Sequence, residues 1–195
     1  MKFKFNQCTV ISLASIFFFS VPLLSSDMSD AAALRERCEK EFKHLEVCVT
    51  NFGDAADKSN LLESSKKLKL GKLKITQSRY IDAIDIYKGY LKLQSEMYAG
   101  LAKKYIERTQ KLNDEIAEES VDSIDKAKVD EYFKMAYRNL EDAKKGTASS
   151  NPVLAIEACR RAKKYSLGVY GLLNKPVPEK YKIDAMDNEG KTAGK

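Results

Sequence analysis

Apolar side chains recur three and four positions apart along most of this chain, the spacing that gathers them on one stripe of an α-helix. Nowhere does an alternation of β-branched residues run between turn signals, so no strand is expected. A first helix is predicted over 29–49, capped by Ser29 with Asp30 near its positive end, and carrying Ala33, Leu34, Phe42, Leu45 and Val49 on one face. Asn51, Phe52 and Gly53 end it. A second helix, over 54–76, carries Leu61, Leu62, Leu68 and Leu73. The third has the longest rhythm, with Ile84, Tyr87, Leu91, Tyr98, Leu101, Tyr105, Leu112 and Ile116 keeping the period across 80–119. Gly89 and Gly100 weaken it, each by about 1 kcal/mol against alanine, and admit a hinge there.

A fourth helix is predicted over 122–145, with Ile124, Val129, Tyr132, Phe133, Ala136 and Leu140 inward. A small, polar loop follows over 146–151. Asn151 then caps a fifth helix over 152–174, with Pro152 in its first turn and Ile156, Cys159, Ala162, Tyr165, Val169 and Tyr170 inward. From 175 to 195 the chain is punctuated by Pro176 and Pro178 and then turns polar, so it is expected to be extended and finally disordered. The fold class is all-α, a helical bundle or short helical array of about five helices.

The first residues carry an address rather than a fold. Lys2 and Lys4 precede an apolar run from Val10 to Leu24, and Ser25 and Ser26 offer small residues for cleavage. The run falls short of the roughly 20 apolar residues that span a membrane. Residues 1–26 are therefore expected to be a cleaved signal peptide, 27–174 a helical domain and 175–195 a tail, in a protein that is exported to the periplasm or beyond the cell. No stable membrane span is expected after cleavage. Removing Lys2 and Lys4 takes the formal charge from +6 to +4, an ordinary value that points to no nucleic acid.

Of the 4 cysteines, Cys8 lies in the leader, which leaves Cys38, Cys48 and Cys159. Cys38 and Cys48 would be separated by about 15 Å of rise on one helix, too far for a disulfide unless the helix breaks. Cys159 is sterically open to either, and a small buried hydrophobe is the ordinary role of each.

Catalytic chemistry finds little to work with. His44 is the one histidine. It shares a helix face with Cys48, but Cys38 projects about 120° away, so no three-ligand metal site converges. There is no glycine-rich phosphate loop and no Gly-x-Ser-x-Gly elbow. No enzyme, cofactor or metal is expected.

Three features could meet a partner. Tyr87, Tyr90 and Tyr98 stud the third helix; one reading is core packing with each hydroxyl at the water's edge, the other a partner-binding face, since aromatic residues are enriched at interface hot spots. Lys66, Lys67, Lys69, Lys72, Lys74 and Arg79 form a cationic run without an acid. Asp114, Glu115, Glu118, Glu119, Asp122 and Asp125 form an acidic run without a cation. Tyr87, Tyr90, Tyr98 and the six cations are the expected partner-binding residues.

Gly71 followed twelve positions later by Ala83, and four after that by Tyr87, resembles the tetratricopeptide repeat. There a small residue lets paired helices approach and the aromatic fills the gap beside them. Ala155, Cys159 and Ala162 resemble the second helix of another copy, while Tyr90 stands where the family has alanine. The lysine-rich, tyrosine-studded segment from Leu91 to Tyr105 looks like the helices of spirochaete periplasmic flagellar-coiling proteins, which decorate a filament. The first resemblance implies an array that binds another protein, the second a filament or sheath component. The functional expectation is an exported, non-enzymatic protein-binding or structural module of the envelope or periplasm. A flagellar sheath assembly and a helical carrier of a small ligand or metal are the alternatives.

Overall fold

The structure is a computed structural model that describes the backbone of residues 11–120 and 126–192, and side chains from 26 onward. It consists of α1 (Ile11–Phe52), α2 (Ala55–Thr76), α3 (Tyr80–Glu119), α4 (Lys126–Ala148), α5 (Pro152–Leu172), a 3-10 turn (Glu179–Tyr181) and α6 (Lys182–Asn188). No strand occurs among the described residues. The all-α expectation holds.

Helices α2 and α3 match their expected bounds, and Asp54 caps α2 in a reciprocal capping box with Asp57. The first helix does not begin at Ser29. Residues ahead of Ser29 are already helical, so its hydroxyl has no free amide end to cap. The expected leader includes residues 1–10, which lie outside the described residues, as do Ile124 and the expected start of the fourth helix at 122. Among the described residues no helix is long and apolar enough to cross a membrane.

The 40-residue α3 is the spine. It packs against α1 and α2 along its first half and against α4 and α5 along its second. Gly89 and Gly100 do not interrupt it, and a Cβ at either would meet nothing within 4 Å. The expected hinge is absent because intrahelical hydrogen bonds and packing on either side outweigh the small propensity loss.

Glycine matters where helices touch. A Cβ on Gly71 would stand 2.6 Å from the Tyr87 ring, and one on Gly168 would stand 2.8 Å from the Tyr132 ring. Each contact seats a tyrosine ring against a bare backbone, α2 against α3 in one case and α5 against α4 in the other.

Four helices end alike. Ser78, Ser150, Asn174 and Gly190 have positive φ just past α2, α4, α5 and α6. The amide after each one reaches back five residues, as Lys175 does to the Tyr170 carbonyl at 2.9 Å. These reversals give short connections and so an array of neighbours in chain order.

The C-terminal expectation is corrected. Instead of an extended and then disordered tail, residues 179–188 form a 3-10 turn and α6, with Tyr181, Asp184 and Asp187 fully buried against the rest of the fold. Polar composition suggested disorder, but composition does not reveal that two carboxylates meet buried cations.

Candidate functional site

The three tyrosines expected at a partner-binding face lie in the core. Tyr87 and Tyr90 are fully buried with Ala31, Cys38 and Ala83, and Tyr98 is 3% exposed among Leu45, Val49 and Ala102. The aromatic surface of α3 is wide because α1 and α2 both pack on it. This corrects the expectation of an aromatic docking face. Among the described residues the hydroxyls of Tyr87 and Tyr90 find no hydrogen-bond partner, and burial pushes the Tyr87 phenol up to about 12 and that of Tyr90 further still. Tyr98 is better satisfied, with its hydroxyl 2.8 Å from His44 Nδ1.

The cations lie outside. Lys66, Lys69, Lys72 and Arg79 are exposed, and Lys67 and Lys74 are half-buried. Lys67 pairs with Glu63 at 3.3 Å and Arg79 with Asp82. Leu62 and Leu73, expected on the inward stripe, are instead 58% and 49% exposed, and Leu70 is 45% exposed. At 100° per residue, Leu62, Lys66, Lys69, Leu70 and Leu73 fall within an arc of about 100° on the side of α2 opposite buried Ser64 and Gly71. The inward stripe of α2 is narrow, since Ser64 and Gly71 occupy it to let α3 approach. The leucines are left to face water.

Among the described residues the two charge runs do not answer each other. Glu119 pairs with Lys180 at 2.6 Å, Asp114 accepts from the Tyr137 hydroxyl at 2.8 Å, and Lys111 approaches Glu115 at 3.7 Å. These acids serve to dock α4 and the tail, while the α2 cations remain outward. Asp122 and Asp125 lie outside the described residues.

A third arrangement was not foreseen from the sequence. Asp187, fully buried on α6, accepts from the Tyr105 hydroxyl at 2.6 Å, from Lys163 Nζ at 2.8 Å and from Arg160 Nη2 at 3.1 Å. Asp184, one turn earlier and also fully buried, accepts a forked pair from Arg108, Nε at 3.1 Å and Nη2 at 2.6 Å. Lys163 is 1% exposed, with its ammonium 3.4 Å from Asp184 and 4.3 Å from the centre of the Phe52 ring. Burial alone would raise the Asp187 carboxyl, but the Lys163 and Arg160 cations outweigh it and hold the pKa below the usual value.

At the rim of this cluster His44 Nε2 lies 3.1 Å from Glu157 and 2.6 Å from Arg160 Nη1. Arg160 also reaches Cys48 Sγ at 3.5 Å. Cys38, Cys48 and Cys159 are free, buried thiols, each pushed up to about 11 by burial. Among the described residues no group of histidines, cysteines and carboxylates is set to hold a metal ion. The one sequence signal for the cluster was the i, i+3 pair of aspartates in α6, which mirrors the i, i+3 pair of cations Arg160 and Lys163 in α5.

The chain matches no family model, no curated protein and no solved structure.

Proposed function

We propose that this chain is an exported, non-enzymatic binding or structural module of the envelope or periplasm, and that it docks another protein through the outward face of α2. The observation that carries the reading is the arrangement of that face, with Leu62, Leu70 and Leu73 about half exposed between Lys66 and Lys69. Covering a half-exposed leucine contributes about 1 kcal/mol. Three on one arc, with lysine stems beside them, make a compact apolar centre with a cationic rim. The occupant that fits is a protein surface whose apolar patch is bordered by carboxylates, because the cations from Lys66 to Arg79 have no acid among them. The α2–α3 hairpin, closed by Gly71 against Tyr87, also supports the tetratricopeptide resemblance and the protein contact it implies.

The test compares the wild-type chain with a Leu62→Ser, Leu70→Ser, Leu73→Ser variant in affinity capture from envelope extract, followed by identification of the captured protein. These are surface positions, so the melting temperature should barely move. The wild type should retain an acidic partner at low salt and lose it as salt rises, and the variant should retain none. Equal recovery of that partner by both proteins would remove α2 from the interaction. Mass measurement of the secreted protein checks the export half, which requires a chain that starts near Ser26 or Asp27.

A further inference from the structure

Within one copy the outward face of α2 and the acids of α3 stay apart. Helix α2 packs along the first half of α3, whereas the second half of α3 carries a groove at its border with α4. Ile106, Glu107, Asp114, Glu115 and Glu118 line this groove from α3 and Lys144 lines it from α4, around a volume of about 690 Å3. Its four carboxylates outnumber its two lysines, Lys111 and Lys144. Half-buried Ile106, which packs onto the core beneath, gives the groove an apolar end.

The face and the groove correspond in length and in charge. Leu62 to Leu73 rises about 16 Å along α2, and Glu107 to Glu118 rises the same distance along α3. Both hold charge that the copy itself leaves unanswered. Among the described residues Lys66 and Lys69 on the face, and Glu107 and Glu118 in the groove, are exposed and form no ion pair.

We propose that the groove between α3 and α4 receives the outward face of α2 from a second copy of this chain. The proposal rests on the reading above and gives its partner a chemistry, since that reading calls for an apolar patch bordered by carboxylates and this chain carries one. Opposite charge on surfaces of equal length brings the two helices together and sets their register. Lys66 and Lys69 then meet the unpaired carboxylates, while Leu62, Leu70 and Leu73 lose water against Ile106 and the stems of the groove lysines. Face and groove are different surfaces, so the contact is heterologous. A copy that docks still offers a free face or a free groove to the next, and the chain builds a row of copies.

Sedimentation velocity of the full chain tests it, at about 10 μM and about 500 μM in about 20 mM and about 500 mM salt. At low salt the wild type should grow from one copy to more than two as concentration rises, and it should return to one copy at high salt. The Leu62→Ser, Leu70→Ser, Leu73→Ser variant keeps the groove and loses the face. Glu107→Lys, Glu118→Lys keeps the face and loses the groove. Each variant alone should stay a single copy at the higher concentration and melt as the wild type does, because all five positions lie outside the core. Mixed in equal amounts, the two should form a one-to-one pair and stop there, since one intact face then meets one intact groove. A wild type that remains single at the higher concentration overturns the proposal, and the reading above still stands if the α2 face captures a different acidic protein from extract. Association of either variant at the wild-type level also overturns it, because the contact would then lie elsewhere.

Discussion

Asp187 shows most clearly how one residue's meaning depends on its neighbours. In sequence it is one acid in a polar tail. In the fold it is fully buried and accepts from Tyr105, Arg160 and Lys163. Its folded-state pKa lies below the unfolded value, so the unfolded chain binds more protons as pH falls. The stability it contributes is fully present above about pH 4 and is lost as pH drops through the folded pKa. Thermal melts of wild type should therefore fall on the acid side of pH 4. Asp187→Asn should be less stable at pH 7 and should lose less between pH 4 and pH 2. Parallel acid limbs for the two proteins would mean that Asp187 does not link protonation to folding. Lys163 is the counterpart on α5: a lysine in sequence, yet 1% exposed, with rings of Phe52 and Tyr105 beneath its ammonium.

At the scale of helices, glycines of one composition have opposite consequences. Gly89 and Gly100 lie on an exposed side of α3 with open space around a notional Cβ. Alanine at either should stabilise by about 0.5–1 kcal/mol, through helix propensity and the unfolded chain. Gly71 faces the Tyr87 ring, which is fully buried and cannot step aside, so Gly71→Ala should destabilise by about 1–3 kcal/mol. Chemical denaturation of the three single variants checks both signs, and a neutral Gly71→Ala would mean that the α2–α3 contact yields. The pattern of helices was legible because apolar stripes at three-four spacing need nothing beyond the chain itself, and α2 and α3 emerged with their bounds. Which face of α2 is covered was not legible. Leu62 and Leu73 belong to an apolar set by composition, but Ser64 and Gly71 admit the closer approach of α3, and the leucines turn outward.

For the whole molecule, the decisive element is the shortest helix. Seven residues of α6 supply the counter-charges for Arg108, Arg160 and Lys163 and lie against α1 and α5. Breaking a buried pair by removing one partner costs about 3–5 kcal/mol, because the remaining charge stays desolvated. A chain ending at Asn174 should lose several kcal/mol in denaturant unfolding, or fail to fold, and a full-length Asp184→Asn, Asp187→Asn variant should fall in between. A truncated chain of undiminished stability would show that the cluster neutralises itself without α6. Local spacing by itself determined that this chain folds as helices, where α2, α3 and α5 start and stop, and that a run of lysines lies on α2, since these follow from residue order along a rod of fixed pitch. Tertiary structure alone decided that Tyr90, off the apolar stripe that carries Tyr87 and Tyr98, is core as they are, that leucines of α2 face outward, and that the tail is a docked helix. Those outcomes depend on which surfaces from distant parts of the chain meet, and a buried charge is stable only where its partner arrives from elsewhere.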